Sequence, residues 1–194
     1  MTATIILSAL ALLILFWGVG AYKRLLRLQR QFTDAFAQLG VQLKIRQELA
    51  TDLAKRMKEQ APDEEAINAV LLSCGDAVKA GSTAANAPSD AVALRRLSTT
   101  EAALSTSLHD VMALKESHAE LNKNPYLTEL SGELADVEKS IAFAWQVYNN
   151  GAAQYNAASQ QFPSSIVAVM FAFRPGFLLP SLGATVERAE KAIR

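Results

Sequence analysis

The residues that could support metal or acid–base chemistry in this sequence are two histidines and a set of carboxylates. One predicted helix holds His109 and His118 together with Glu101, Asp110, Glu116 and Glu120. Nine residues separate the histidines, which turns a helix by about 900° and places them on opposite faces. The Glu-x-x-His pattern that binds iron in helical bundles does not occur. We therefore predict no metal site and no cofactor, and interpret both histidines as solvated or lightly buried.

Nucleophilic chemistry has as little support in the sequence. Cys74 is the only cysteine, so an intrachain disulfide is excluded. Its place on the apolar side of a predicted helix favours a small buried side chain over a reactive thiol. No glycine-rich phosphate loop and no G-x-S-x-G motif occur. We predict no catalytic residues and expect that the protein is not an enzyme.

The most specific pattern is a Tyr-Asn pair that occurs twice, as Tyr148-Asn149 and Tyr155-Asn156. A tyrosine ring adds apolar area to a helix interface, while its hydroxyl needs a hydrogen-bond partner. The asparagine after it would lie at the edge of the same face and can fix the register of a neighbouring helix. The pairs either set helix packing within one bundle or contact another subunit or a peptide segment.

A long helix is predicted around these pairs. Asn124 is suited to cap it, Pro125 to begin it, and Pro163 disfavours helical geometry at the residue before it. Between these signals, residues recur at steps of three and four, close to the period of a bundle helix. They are Leu127, Leu130, Leu134, Val137, Ile141, Ala144, Tyr148, Ala152, Tyr155, Ser159 and Phe162.

The pattern Ile141-Ala142, the two Tyr-Asn pairs, Phe162-Pro163 and the apolar run after it resembles the C-terminal signature of LemA family proteins. These are bacterial single-pass membrane proteins with a helical-bundle domain. The resemblance implies that architecture and a role as a membrane organiser or adaptor, but no reaction. The chain departs from the family pattern at Trp145, where arginine is usual. It also has Ala172-Phe173 in place of the usual Gly-Phe pair, with Gly176-Phe177 following.

Residues 1–22 contain no charged side chain. The almost wholly apolar stretch at 3–21 makes about 28 Å of helix, near the roughly 30 Å thickness of a hydrocarbon core. We predict a transmembrane anchor over 1–22; a cleavable signal peptide is disfavoured because no basic region precedes the run. The predicted anchor residues are Ile5, Leu10, Leu13, Phe16, Trp17, Lys23 and Arg24.

Four basic residues, Lys23, Arg24, Arg27 and Arg30, follow the apolar run directly. Because lysine and arginine are enriched on the cytoplasmic side of membrane spans, we expect the N-terminus outside and the bundle in the cytoplasm. The predicted location is the inner membrane, in a single-pass protein whose first partner is the lipid bilayer. The basic residues either serve as stop-transfer charges or contact lipid headgroups.

Residues 23–163 are predicted to form an elongated antiparallel bundle of three to four helices. The first continues from the anchor, a short second helix ends near Ala80, and a loop covers 81–89. Ser89 or Asp90 can cap the third, which runs to about Lys123 with His118 on its buried side, and the long helix follows. Arg46 is interpreted as part of a solvated face.

Residues 164–194 are predicted to form an apolar segment and a short terminal helix at 185–194. The run at 166–173 is too short to span a membrane. It folds back on the bundle, lies in the membrane surface or contacts another subunit, since such a patch is rarely left bare. The predicted interaction residues are Tyr148, Asn149, Tyr155, Asn156, Phe162, Pro163, Ile166, Phe171, Phe173 and Phe177.

The composition favours an all-α protein, with 51% hydrophobic but only 7% aromatic residues. Nineteen basic residues balance nineteen acidic ones, so the basic footprint of a nucleic-acid-binding protein is missing. We expect a membrane-anchored scaffold that forms a homo-oligomer. The alternative is an adaptor or regulatory subunit of another membrane protein, such as a protease.

Overall fold

The computed structural model describes residues 2–180, which contain six helices and no strand. The helices are α1 (Thr2–Gln60), α2 (Glu65–Asn86), α3 (Ala91–Ser117), α4 (Ala119–Lys123), α5 (Pro125–Gln160) and α6 (Ser164–Met170). The predicted all-α class is confirmed, with a long apolar N-terminal helix that continues into helical-bundle packing. The terminal helix predicted at 185–194 lies outside the described residues.

Two predicted helix starts are confirmed by their caps. The Asp90 side chain accepts a hydrogen bond from the backbone N–H of Val92 at 2.9 Å, which begins α3. The Asn124 side chain accepts one from the backbone N–H of Tyr126 at 3.0 Å, which begins α5 at Pro125. Each cap satisfies a backbone donor that the first turn of a helix leaves without an intrahelical partner.

The predicted end of the second helix was wrong, since α2 continues to Asn86. Ala77, Ala80 and Ala84 lie on one face at helical spacing and are all buried. This packed alanine face extends the helix through a stretch whose small polar residues indicated a loop.

The predicted third helix is interrupted at His118, whose backbone is extended. The Ser117 hydroxyl and the His118 ring both bond to the carbonyl of Leu114, at 2.8 and 3.1 Å. Such local side-chain bonds compete with the helical ladder. The His118 side chain is exposed, so its placement on the buried side of the third helix was wrong, whereas its interpretation as a solvated histidine agrees with the structure.

Contacts divide the described residues into two compact units. Unit 1 comprises residues 2–35 and Val147–Leu178, and unit 2 comprises Phe36–Gln146 with residues 179–180. Helices α1 and α5 therefore contribute to both units. The segment after residue 163, which the sequence placed in a region of its own, belongs largely with the N-terminal apolar helix in unit 1.

The core of unit 2 is built from buried apolar residues of α1, α2, α3 and α5. Ala50, Leu53 and Met57 of α1 meet Ile67 and Val70 of α2. Cys74 lies in the same core, as predicted. Burial raises the pKa of its thiol, so the reactive thiolate is disfavoured.

Candidate functional site

The two Tyr-Asn pairs lie on the part of α5 that belongs to unit 1, where they meet the segment after α6. This segment has no regular secondary structure from Phe173 to Pro180. The Tyr148 hydroxyl donates to the carbonyl of Phe177 at 2.7 Å, and the Tyr155 hydroxyl to the carbonyl of Arg174 at 2.9 Å. The two tyrosines therefore satisfy backbone carbonyls of an irregular segment.

Asn156 completes this arrangement by pairing with both backbone groups of Gly176. Its side-chain N–H donates to the Gly176 carbonyl at 2.8 Å, and its side-chain oxygen accepts from the Gly176 N–H at 2.7 Å. We call Tyr148, Tyr155 and Asn156 the latch. Its side chains hold the irregular segment of the same chain against α5.

Phe32 of α1 packs against the latch from another side. Its ring centroid lies 6.2 Å from that of Tyr148 and 5.1 Å from that of Tyr155. Gly151 lies between the tyrosines on α5, and a Cβ atom there would approach the Cβ of Phe32 to 3.1 Å. The absence of a side chain at Gly151 is what lets the two helices come this close.

Burial governs the chemistry of the latch hydroxyls. It raises the pKa of Tyr148 to about 12, and it also raises the pKa of Tyr155. Both hydroxyls are thus neutral donors near neutral pH, which suits hydrogen bonding to carbonyls. The arrangement favours a structural task over proton transfer or nucleophilic attack.

Helix α6 packs on the same unit next to the latch. Val167 and Ala168 join a buried cluster with Ala21 and Leu25 of α1 and Ala158 of α5. Tyr22 of α1 also contacts two rings after α6. Its ring centroid lies 4.8 Å from that of Phe171 and 5.6 Å from that of Phe173. The C-terminal apolar segment therefore folds back on its own chain, one of the three predicted alternatives.

A sequence model of the LemA family matches residues 35–190. This chain belongs to the LemA family. The match includes the latch, α6 and the segment after it, and it begins beyond the apolar stretch of α1. A search of curated proteins finds no match. The family-model match confirms the LemA membership that the Tyr-Asn pairs predicted.

The outward side of α6 and the residues next to it carry exposed apolar side chains. Phe162 is 81% exposed and Val169 is 84% exposed, and Ile166, Met170 and Phe171 are exposed as well. We call these five residues the apolar face. The prediction that the helical repeat of α5 extends to Phe162 was wrong, because α5 ends at Gln160.

The other predicted interaction residues lie at intermediate depth in this LemA protein. Asn149, Pro163, Phe173 and Phe177 are half-buried. Of the predicted anchor residues in α1, all are exposed; they are Ile5, Leu10, Leu13, Phe16, Trp17, Lys23 and Arg24. The stretch of α1 that contains them is long and apolar enough to cross a membrane, and only 6% of it is buried.

The sequence reasoning missed a cluster of buried polar residues in unit 2. Arg46 of α1 and Glu101 of α3 are both 0% exposed and form an ion pair. A second Arg46 nitrogen donates to Glu138 of α5 at 2.9 Å, and Gln47 donates to Glu101 at 2.8 Å. Placing Arg46 on a solvated face was therefore wrong.

Electrostatics in this cluster reflect two opposing effects. Burial alone lowers the pKa of Arg46, but attraction by Glu101 and Glu138 outweighs it and raises that pKa. Burial raises the pKa of Glu101, and Arg46 and Gln47 offset this only in part. The guanidinium is the fixed charge around which the two carboxylates are arranged.

The signal that could have revealed this cluster is heptad spacing. Arg46 lies on the same alternating steps of four and three as Leu39, Leu43, Ala50 and Leu53, all of which are buried. Glu101 occupies the matching place in α3 between Leu97 and Leu104. A charged residue on such a seam faces the core regardless of its type. Among the described residues, no group of three or more histidine, cysteine, aspartate or glutamate side chains is placed to hold a metal.

Proposed function

We propose that this LemA protein is a membrane-anchored scaffold without catalytic activity, and that it self-assembles. The observation that carries the proposal is the exposed apolar stretch of α1, a helix that continues from it without a break to Gln60. A bilayer is the environment that accommodates such a stretch, since the backbone hydrogen bonds of a helix are satisfied internally. The latch supports a structural role because its polar groups are used to hold the chain itself.

The proposed topology is a single span of the inner membrane with the N-terminus outside and the residues that follow the span on the cytoplasmic side. Lys23, Arg24, Arg27 and Arg30 follow the apolar stretch, and the first acidic residue is Asp34. This enrichment in positive charge supports a cytoplasmic location for the residues after the span.

Topology is tested by labelling with a membrane-impermeant maleimide in spheroplasts. The reporter is Asn86→Cys, at the exposed end of α2, in a Cys74→Ala background that removes the only native cysteine. We expect labelling only after the membrane is permeabilised. Labelling of intact spheroplasts would place unit 2 outside and overturn the orientation.

Self-assembly is tested by the mass of the full-length protein in mild detergent, measured by light scattering with correction for bound detergent. A scaffold is expected to give a uniform particle of many chains. A monomer or dimer contradicts self-assembly. If such a small particle copurifies with another membrane protein, the adaptor or regulatory subunit becomes the better description.

A further inference from the structure

Helix α6 packs against α1 at the point where the uncharged stretch of α1 ends and its charged residues begin. Residues 4–22 are uncharged, and Lys23 is the first charged residue of the chain. Val167 and Ala168 of α6 pack against Ala21 and Leu25, which lie on either side of this boundary. At 1.5 Å per residue, α6 therefore contacts α1 within about one helical turn of the end of the apolar stretch.

Aromatic residues accumulate at the same level of α1. Tyr22 contacts the rings of Phe171 and Phe173, and Trp17 is partly exposed a little over one turn earlier. Tryptophan and tyrosine are enriched where a span passes from hydrocarbon to headgroups. The contacts of α6 thus lie at the level where the bilayer surface is expected.

The apolar face has the chemistry of a surface that lies among lipids. Between Phe162 and Phe173 the sequence contains no charged residue. Its outward side chains are large, apolar and exposed, in a protein whose Val167 and Ala168 already fill the inward side. Because α6 is held by α1 and α5, it needs no further folding to meet a membrane.

Charge in unit 1 complements an anionic membrane surface. Its described residues include five basic side chains and one acidic side chain, whereas residues 36–146 of unit 2 include eleven basic and sixteen acidic ones. Lys23, Arg24 and Arg27 are exposed beside the docking site of α6. Basic residues next to an apolar surface are typical of segments that bind anionic lipids.

We infer that the apolar face of α6 lies in the bilayer surface beside the span, in contact with lipid. Unit 1 then meets the membrane through two elements, the spanning part of α1 and the α6 helix docked at its end. The latch contributes by fixing the segment that follows α6. This inference rests on the proposed membrane anchorage, and the experiment below separates failure of one from failure of the other.

The test places a nitroxide spin label at one position at a time in the full-length chain, in the Cys74→Ala background. The labelled variants are Val169→Cys on the apolar face, Leu10→Cys in the apolar stretch and Leu72→Cys on α2. Leu72 is a matched control, because it is an apolar residue 70% exposed in unit 2. Each variant is reconstituted in nanodiscs of phosphatidylcholine and phosphatidylglycerol, and helix content confirms that it is folded.

The measured quantity is the ratio of collision rates with oxygen, which partitions into lipid, and with a water-soluble nickel chelate. We expect this ratio to be several-fold higher for Val169→Cys and for Leu10→Cys than for Leu72→Cys. A water-like ratio at position 169 with a lipid-like ratio at position 10 overturns the inference and leaves the anchor intact.

Two other outcomes also decide the question. An immobile label at position 169 that neither reagent reaches shows that protein, such as a second copy of this chain, covers the apolar face, and this too overturns the inference. A water-like ratio at position 10 overturns the proposed membrane anchor itself, and the lipid contact of α6 falls with it.

Discussion

Both units of the chain bury polar side chains, but they do so with different chemistry. In unit 2 the charged groups of Arg46 and Glu101 are buried and pair across α1 and α3, and Arg46 also binds the partly exposed Glu138 of α5. In unit 1 the groups are neutral and pair with the backbone of an irregular segment, as the buried Tyr148 does with Phe177 and the half-buried Asn156 does with Gly176.

This difference shows what each arrangement is suited to specify. Burying a charge is costly unless its partners are well placed, so the Arg46 cluster tolerates only a helix register that brings three helices together. Neutral hydrogen bonds cost less and can be made to any backbone group. The latch therefore suits a segment that has no periodic pattern of its own. We interpret the charged cluster as a device for helix register and the latch as a device for holding α6 and its tail.

The largest effect is expected when one member of the charged cluster is removed. Glu101→Ala leaves the buried guanidinium of Arg46 without its main partner, which is expected to lower the free energy of unfolding by about 3–5 kcal/mol. The measurement is chemical denaturation followed by circular dichroism. Glu116→Ala, at an exposed glutamate on the same helix, should change stability by less than about 0.5 kcal/mol. Equal losses in the two variants would contradict the role given to the cluster.

Removing both members tests whether the pair serves register or stability. In Arg46→Met/Glu101→Leu, apolar side chains of similar size replace the ion pair, and the partly exposed Glu138 carboxylate can turn to water. We expect this double variant to be clearly more stable than Glu101→Ala, since no buried charge is left unpaired. A loss as large as that of the single variant would show that the ion pair itself supplies the stability.

A smaller loss is expected when the latch is opened at Asn156. Asn156→Ala removes two hydrogen bonds to Gly176, which is expected to cost about 2 kcal/mol. Amide hydrogen exchange should become faster in residues 174–178 and change little in α2 and α3. Asn150→Ala, at an exposed position of the same helix, is the control. Unchanged exchange at Gly176 in Asn156→Ala would exclude the latch as the group that holds this segment.

The pH dependence of the latch follows from the pKa of Tyr148. That pKa is raised in the folded chain to about 12, against a value of about 10 in an unfolded chain. The neutral phenol thus stabilises the fold fully below pH 10, and this contribution is lost as the pH rises through about 12. Allowing for solvent screening, we expect a loss of about 1–2 kcal/mol over this range.

Tyr148→Phe isolates this effect. The stability difference between the wild type and the variant should shrink as the pH rises from 10 towards 12, because the wild type then ionises the group that the variant lacks. Absorbance at 295 nm should show one late tyrosinate transition in the wild type that is missing in the variant. Identical high-pH transitions in both proteins would contradict a buried Tyr148 hydroxyl.

Sequence patterns predicted the parts of the fold that depend on local chemistry. Asn124 was identified as a helix cap, and Asp90 as one of two candidates for another, because a cap bonds to a backbone group only two or three residues away. The Tyr-Asn spacing correctly placed both tyrosines on the buried side of α5. Cys74 was placed in the core because it lies on an apolar helical face.

The parts that were missed depend on contacts between distant residues. The partner of Asn156 is twenty residues downstream, in a stretch without periodicity. Arg46 and Glu101 both lie on heptad seams, yet their charge indicated solvent. That Arg46 and Glu101 neutralise each other depends on the register between α1 and α3, which the sequence of neither helix shows. The end of α2 was missed because the helix is extended by the burial of Ala84, for which the local sequence gives no signal.

The smallest effects come from two glycines of α5, one in each unit, and they are expected to have opposite signs. At Gly132 no atom lies within 4 Å of an added Cβ, so Gly132→Ala should stabilise the protein by about 0.5–1 kcal/mol through helix propensity. At Gly151 the added Cβ would lie 3.1 Å from the Cβ and 3.4 Å from the Cα of Phe32. Those atoms belong to the adjoining helix and cannot turn aside. Gly151→Ala should therefore destabilise the protein by about 1–2 kcal/mol even after the gain in propensity. Denaturation of the two variants side by side checks the prediction. Stabilisation in both would mean that α1 and α5 are less closely packed at Gly151 than the 3.1 Å approach to Phe32 implies.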